Sequence, residues 1–253
     1  MRQRILFGMQ LLLVMALSAC AADAPECLRA AGDRVRETVE VSEFSAITVF
    51  DDIELVVMQG TPQRVEIETG ANLRPDIHAE VQDGTLRLRN GNGCNLFREY
   101  GLTTVYVTVP DLRILRSSTG LPVRSQGVLG FEDLQLISES FNDPEAETTD
   151  GSFELTLATG RVRITANGIA YFQLSGTTGT LGVTIAAGDS RVEANALLAD
   201  RVNLDHRGSN EILVNPRHRI SGRIRGYGDV LSYNRPDTVE VEELFRGRLI
   251  FVP

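Results

Sequence analysis

The sequence contains no lysine and no tryptophan, and it has only three cysteines and three histidines among its 253 residues. Without lysine there is no Schiff-base catalysis, no serine–lysine nucleophile and no phosphate-binding P-loop. The histidines, His78, His206 and His218, are too scattered in the sequence to predict a zinc site. No histidine and aspartate accompany Ser175 or Ser209 in an arrangement that suggests a nucleophile. The common catalytic and metal-binding motifs are therefore not expected.

Arginine alone carries the basic charge, and acidic residues outnumber it. The 25 basic and 34 acidic residues give a formal net charge of −9 at pH 7. Such a surface repels phosphate backbones, so we expect no nucleic acid as a partner. Because 42% of the residues are hydrophobic, the chain has enough apolar surface for one large core or two smaller ones. The composition is that of a folded protein.

The first 19 residues are typical of a secretory signal peptide. Arg2 and Arg4 precede an apolar run, ILFGMQLLLVMAL, that is short for a span of the bilayer. The tetrapeptide LSAC, which ends at Cys20, resembles the lipobox of bacterial lipoproteins, in which the cysteine thiol takes a diacylglycerol. We therefore predict a signal peptide at residues 1–19 and lipid attachment at Cys20. An uncleaved transmembrane anchor is the alternative.

The lipid anchor also predicts where the protein works. Several acyl chains, each contributing about 0.8 kcal/mol per buried methylene, hold a protein stably on a membrane. Ala21 follows Cys20 in place of the aspartate that retains lipoproteins at the inner membrane, so we predict the outer membrane. Residues 20–40 are then expected to form a linker and residues 41–253 a single domain. The sequence favours neither the periplasmic nor the extracellular face.

Two cysteines, Cys27 and Cys94, remain once Cys20 is assigned to lipid. In an oxidising compartment two such cysteines are more often joined than free, so we predict a disulfide bond between them. A metal site and a redox-active thiol are the alternatives. Neither has support, because no histidine lies near Cys27 or Cys94 in the sequence and no Cys-x-x-Cys motif occurs.

Alternation of apolar and polar residues with a period of two dominates the rest of the chain. The segments QRVEIET, TLRLR and TVYVTVP each have the pattern of a half-buried strand, and turn residues such as Asp83-Gly84 separate them. No convincing amphipathic helix follows the signal segment. The pattern predicts an all-β protein.

From about residue 151 the strands repeat with a regular period. Four glycines, Gly168, Gly188, Gly208 and Gly226, each follow a short alternating strand at spacings of 20, 20 and 18 residues. This period is that of one coil in a β-solenoid, similar to a right-handed β-helix, whose coils share a core because none buries its inner face alone. A β-sandwich is the alternative, since it also contains short strands at regular spacing.

Much of the chain resembles one known family. The segments VSEFSAITVF and VYVTVPDL, the Cys94-Asn95 pair and the glycine-turn repeats resemble the putative auto-transporter adhesin, head GIN domain family, over about residues 27–253. Its members carry one cysteine before the first strand and another in a Cys-Asn motif. The resemblance therefore implies the disulfide between Cys27 and Cys94 and an all-β solenoid. The chain departs from the family pattern at SFNDPEAETTDGS, LDHRGSNE and RGYGD.

A column of charged residues is the best candidate for chemistry. Arg191, Glu211 and Asp229 each follow a repeat glycine by three residues, so we expect them to stack on adjacent coils. In a carbohydrate-active β-helix, Glu211 and Asp229 would form the catalytic pair of carboxylates. The other interpretation is a solvated charge ladder, and we favour it because no aromatic platform for a sugar accompanies the pair.

Acidic residues also concentrate between residues 142 and 150. Asp143, Glu145, Glu147 and Asp150 offer oxygen ligands for calcium, but their spacing is not that of an EF-hand. A solvated loop is the favoured interpretation. We predict no metal ion and no cofactor, and whether this loop binds a cation stays open.

Together these features predict a lipid-anchored cell-envelope protein that presents a β-solenoid surface for binding, adhesion or envelope structure and catalyses no reaction. The expected partners are the membrane, through the anchor, and a protein or polysaccharide surface ligand. Two alternatives are a carbohydrate-active enzyme that uses Glu211 and Asp229 and a periplasmic scaffold or signalling partner.

The predicted anchor is testable by labelling cells with radioactive palmitate. The wild-type chain should take up label, and Cys20→Ser should take up none because it lacks the acylated thiol. Cys27→Ser is the matched control and should be labelled like the wild type. A mature wild-type mass without the acyl increment would contradict the assignment.

Overall fold

The computed structural model describes residues 26–50, 52–96, 98–142, 145–146 and 148–252. Regular structure in these ranges consists of β-strands and two single-turn 3-10 helices, Glu26–Leu28 and Arg74–Asp76. This confirms the all-β prediction. No helix in the same ranges is long and apolar enough to cross a membrane. The predicted signal peptide and Cys20 lie outside the described residues.

Seventeen strands follow one another along the chain. They are β1 (Arg34–Val39), β2 (Ala46–Phe50), β3 (Ile53–Gln59), β4 (Arg64–Gly70), β5 (Ile77–Gln82), β6 (Thr85–Asn90), β7 (Thr103–Val109), β8 (Ile114–Ser118), β9 (Pro122–Leu129), β10 (Asp133–Ser138), β11 (Ser152–Ala166), β12 (Tyr171–Ile185), β13 (Arg191–His206), β14 (Ile212–Ile224), β15 (Val230–Ser232), β16 (Thr238–Glu243) and β17 (Leu249–Phe251).

The strands form one continuous sheet that winds around the core and presents two outer faces. We call the first the back face; it stacks β6, β2, β8, β10, the second halves of β11 to β13, the end of β14, and β16, all in parallel. The other, the front face, stacks β7, β3, β9, the first halves of β11 to β13, the start of β14, β15 and β17, also in parallel. The β-solenoid prediction is confirmed, with two strands per coil. A sandwich of antiparallel sheets does not fit this pairing.

Antiparallel strands occupy the N-terminal end of the solenoid. Strand β4 lies antiparallel to β7, β1 lies antiparallel to β4, and β5 lies antiparallel to β6. Strand β1 falls within residues 20–40, the expected linker, so the sheet begins before residue 41. Arg36 of β1 pairs with Glu66 of β4 at 3.0 Å. A charged strand at this edge discourages pairing with another chain.

Cys27 and Cys94 form the predicted disulfide bond, with their Cα atoms 4.5 Å apart. The bond joins the start of the described chain to the segment between β6 and β7. It therefore fastens the first residues of the domain to the N-terminal end of the solenoid.

Inward side chains of successive coils stack in columns. The rings of Phe153 and Phe172 lie parallel with their centroids 4.8 Å apart, and the register continues this column through Val192 and Ile212. All four side chains are buried. Because parallel strands in register place each inward residue on its neighbour, the inward residues of both faces merge into one hydrophobic core.

The repeat glycines lie at the turn that leads from the back face to the front face. The backbone N–H of Asp189 donates to the carbonyl of Gly168 at 2.7 Å, and that of Ser209 donates to the carbonyl of Gly188 at 2.9 Å. The glycine spacing in the sequence thus corresponds to the length of one coil.

One glycine allows close contact between coils and is a sharp test of the fold. Gly222 has a φ of +132°, and a Cβ there would lie 2.0 Å from the carbonyl oxygen of Leu204. Gly222→Ala should therefore lower the free energy of unfolding by about 2 kcal/mol or more, measured by urea unfolding followed by circular dichroism. At Gly182 a Cβ would lie 3.6 Å from its nearest neighbour. Gly182→Ala is therefore the control and should change the free energy of unfolding by less than about 0.5 kcal/mol. Equal losses of stability in Gly222→Ala and Gly182→Ala would contradict this explanation.

Candidate functional site

Arg191, Glu211 and Asp229 lie on the front face at the starts of successive strands, as the glycine spacing predicts. Backbone bonds hold the three coils in order, since Val192 N donates to the Glu211 carbonyl at 3.3 Å and Ile212 N donates to the Asp229 carbonyl at 3.0 Å. The Arg191 Nη1 atom lies 2.8 Å from Glu211 Oε2. The predicted column therefore exists.

Both carboxylates of the column are engaged within the protein. Glu211 pairs with Arg191, and Asp229 Oδ1 accepts a hydrogen bond from the backbone N–H of Arg248 at 2.8 Å. A glycosidase pair needs one carboxyl group that gives a proton and one that is free to attack or to activate water. The observed contacts instead favour a structural charge ladder, which is also the interpretation that the sequence favours.

A tyrosine and a glutamate beside the column, Tyr171 and Glu193, complete a hydrogen-bond network that was not predicted from the sequence. The Tyr171 hydroxyl lies 2.6 Å from Glu193 Oε2, and Arg191 Nε lies 2.8 Å from Glu193 Oε1. The bond from Tyr171, followed by that from Arg191, lowers the pKa of Glu193. The same bond, together with burial, raises the pKa of Tyr171. The coil period contains a signal for this network, because it places Tyr171 next to Arg191 in the strand register.

Around this network the front face is a shallow polar surface. Arg124 pairs with Glu154 at 2.9 Å and also with Glu54 on the other side. Thr156 and Ser175 share a hydrogen bond of 3.1 Å. Enclosed small-molecule sites are concave and mostly apolar, whereas this face is broad and hydrophilic. It is suited to contact with an extended partner.

Described residues of the segment that joins β10 to β11, among them Glu139 and Glu145, contact the back face. Glu139, only 3% exposed, anchors the segment: Arg116 Nη2 lies 3.0 Å from one carboxylate oxygen and the N–H of Phe141 lies 2.7 Å from the other. Burial acts to raise the pKa of Glu139, but the bonds from Arg116, Phe141 and Asn142 outweigh it and lower the pKa. The segment is therefore fixed at its start by a buried ion pair.

The candidate acidic residues of this segment that the structure describes, Glu145 and Asp150, do not form part of a cation site. Glu145 pairs with Arg87 and Arg89 of β6, so it holds the segment against the back face. In the part of the chain that the structure describes, no cluster of three histidine, cysteine, aspartate or glutamate side chains is placed to hold a metal ion. Two of the predicted residues, Asp143 and Glu147, lie outside that part.

His206 occupies a position in the core where neighbouring coils carry apolar residues. Its register partners are Ile185 and Ile224, and its side chain is fully buried. Its ring nitrogens make no hydrogen bond of standard geometry within the described residues. Burial lowers the pKa of His206, and this outweighs the opposing effects of the Asn210 and Gly228 backbone and of two nearby carboxylates. The carboxylates are those of Asp205 and Asp229. The histidine is therefore a structural residue, as its isolation in the sequence suggests.

The buried histidine should make stability depend on pH. The unfolded chain binds a proton with a pKa near 6.5, about the ordinary value, whereas the folded chain binds it only at lower pH. Between these two pKa values the unfolded state binds more protons, so the free energy of unfolding should fall as the pH drops below about 6.5.

Urea unfolding between about pH 7 and pH 5 measures this effect. In His206→Leu the fall over this range should be reduced, whatever the absolute stability of the variant. His218 is exposed, so His218→Leu is the matched control and should keep the wild-type slope. Identical slopes for the wild type and His206→Leu would disprove the assignment.

The parallel register, the single core and the broad polar faces define a two-faced β-solenoid. A family model described as "Putative auto-transporter adhesin, head GIN domain" matches residues 43–236, and the chain belongs to this family. The resemblance seen in the sequence is thereby confirmed. No functionally curated protein matches the chain.

Several solved structures share the fold. A putative adhesin from Bacteroides fragilis superposes with a TM-score of 0.75 at 19% identity, covering 87% of this chain and 97% of that one. A putative adhesin from Parabacteroides merdae gives 0.60 at 14% identity, covering 88% and 97%. A protein from Parabacteroides distasonis described as a putative lipid binding protein gives 0.59 at 13% identity, covering 88% and 98%. At these identities the likeness shows a common fold.

Proposed function

We propose that this chain is a non-catalytic binding protein of the cell envelope, anchored by lipid at Cys20, whose β-solenoid presents a surface for a protein or polysaccharide ligand. The observation that carries the proposal is the front face, a broad polar surface whose charged groups are held by one another. The family described as an adhesin domain and the relatives described as adhesins or as a lipid binding protein support binding over catalysis.

The ion pairs of the front face support recognition by a surface that is already organised. Arg124 is held between Glu54 and Glu154, and Arg191 is held between Glu193 and Glu211. Side chains fixed in this way lose little further conformational freedom when a ligand binds. A face of this kind offers hydrogen bonds to a partner at a low entropic cost.

The anchor and the disulfide together suggest how the domain stands on the membrane. A fully extended tether from Cys20 to Cys27 reaches about 25 Å at most. Because Cys27 is bonded to Cys94 at the N-terminal end of the solenoid, that end would lie near the bilayer. The coil formed by β16 and β17 would then be the most distant part of the described chain.

Binding without turnover is the expected result for the purified domain. It should be retained on immobilised mucin, which presents both protein and polysaccharide, and it should release no reducing ends from mucin or polygalacturonate. No sugar should be released because the two candidate carboxylates are already engaged: Glu211 by Arg191, and Asp229 by the Arg248 N–H.

Release of sugar that is lost in Glu211→Gln would overturn the proposal in favour of a carbohydrate-active enzyme. Glu242→Gln is the matched control, since Glu242 is an exposed carboxylate of β16 away from the column. Failure of the wild-type domain to be retained on mucin would also count against the proposal.

A further inference from the structure

The last coil of the solenoid, formed by β16 and β17, has a neighbour on one side only. Among the described strands, β16 pairs with β14 alone and β17 pairs with β15 alone. We call the open side of this coil the C-terminal edge. An open edge carries unpaired backbone donors and acceptors, which are a template for pairing with another strand.

The residues whose backbone groups point out of the C-terminal edge follow from the bonds on its closed side. The N–H of Leu244 donates to the Ile224 carbonyl at 2.8 Å, and the N–H of Val252 donates to the Ser232 carbonyl at 2.9 Å. Alternate residues of a strand direct their backbone groups to opposite neighbours. The outward-directed positions are therefore Val239 and Val241 in β16 and Leu249 and Phe251 in β17.

The inward side chains of this coil are only partly covered. Ile220 and Val230, one coil earlier, are fully buried. Their register partners Val239 and Leu249 are partly exposed, Val239 to 39%. A further layer in register would bury these apolar side chains, which is the main favourable contribution to coil stacking.

Apolar residues also lie at the turn between β16 and β17. Leu244 and Phe245 are about half exposed, and the Phe245 ring meets the exposed ring of Tyr227 edge-on, with centroids 5.0 Å apart. Adjacent exposed apolar side chains of this kind are typical of an interaction surface.

The charges of the C-terminal edge determine which strand can pair with it. Strand β16 carries Glu240, Glu242 and Glu243. Two copies of β16 placed side by side would bring glutamates opposite glutamates, which is unfavourable. Arg248 lies at the start of β17 and is exposed. Strand β17 is therefore the complementary partner for β16.

A second copy of this chain can supply that pairing twice. The chain runs in opposite directions on the two faces, so a two-fold axis parallel to the strands sets β16 of each copy antiparallel to β17 of the other. One register then joins the outward-directed positions, with Val239 opposite Phe251 and Val241 opposite Leu249. Their apolar side chains extend the core across the contact.

The same register satisfies the charged residues and the turn. It places Glu242 opposite Arg248 of the other copy. Phe245 lies midway between the paired positions and therefore meets its own copy near the axis. Glu243, whose carboxylate accepts the N–H of Leu249 at 2.9 Å in the single chain, faces Gly247, which has no side chain to cover the charge.

We propose that two copies of this chain associate end to end through the C-terminal edge, with β16 of each paired to β17 of the other. The pair is closed because both open strands of both copies are used. This contact is separate from ligand binding by the front face, so retention on mucin and dimer formation can fail independently.

The first test measures the mass of the purified chain from residue 21 to 253, which contains every described residue. Sedimentation equilibrium between about 1 and 100 µM covers contacts of moderate and weak affinity. The wild type should be dimeric at the top of this range. A monomer at every concentration overturns the proposal, and so does an assembly larger than a dimer.

A charge exchange tests the pairing itself. Glu242→Arg and Arg248→Glu each place like charges opposite one another at both contacts, so each should weaken the dimer by about tenfold or more. An equimolar mixture of the two variants restores opposite charges at both contacts. It should associate within about threefold of the wild-type Kd, a tolerance below the 1.4 kcal/mol that a tenfold change represents. Absence of this rescue overturns the proposed register.

Val241→Pro tests the backbone pairing. The N–H of Val241 points out of the edge, so its removal costs no hydrogen bond in the single chain, and proline is tolerated at such positions. The variant should remain monomeric, and dimer formation equal to that of the wild type contradicts the proposal. If circular dichroism shows that it does not fold, the charge exchange alone decides. Glu80→Arg is the matched control, because Glu80 is exposed on β5 at the opposite end, and it should dimerise like the wild type.

Discussion

Every coil of this protein depends on the backbone hydrogen bonds to the coils on either side. A single coil of two strands cannot enclose a core, so its inward residues become buried only when a neighbour in register covers them. The stacked rings of Phe153 and Phe172 show the result within the core. The bonds from Asp189 to Gly168 and from Ser209 to Gly188 show it at the turn. Register is therefore the quantity that the sequence has to encode most strongly.

Charged pairs on the front face also help to fix the register of the strands. Arg191 contacts Glu193 on its own strand and Glu211 on the next coil, and the contact with Glu211 requires one alignment of the strands. Exposed ion pairs of this kind contribute little to stability, typically under about 1 kcal/mol each. A shifted register would place like charges together, which is unfavourable between adjacent strands. The pairs thus contribute more to specificity than to stability.

How much of this structure the sequence predicts depends on whether a contact repeats. The all-β class, the coil period and the column from Arg191 to Asp229 follow from alternation and glycine spacing, because each coil repeats the last. The disulfide was predicted from the oxidising compartment that the predicted lipid anchor at Cys20 implies. Contacts made once are different: Glu145 reaches Arg87 and Arg89 across nearly sixty residues, and no local pattern encodes the path of that segment. The pairing of β1 with β4 could not be predicted from the sequence for the same reason, because it occurs only once among the described strands.

The same contrast explains where the packing becomes irregular. In regular coils the outward side chains lie in rows, and many charged groups meet a partner on the same or the next strand, as Arg191 meets Glu193 and Glu211. The segment between β6 and β7 is not part of a regular coil, and there a small cavity lies beside a buried amide oxygen that accepts no hydrogen bond from a described residue. A regular coil pairs most of its polar groups with the neighbouring coil, and among the described residues the buried ring of His206 is an exception. Irregular packing is therefore expected where the repeat is interrupted, and in this protein the disulfide between Cys27 and Cys94 fixes that place.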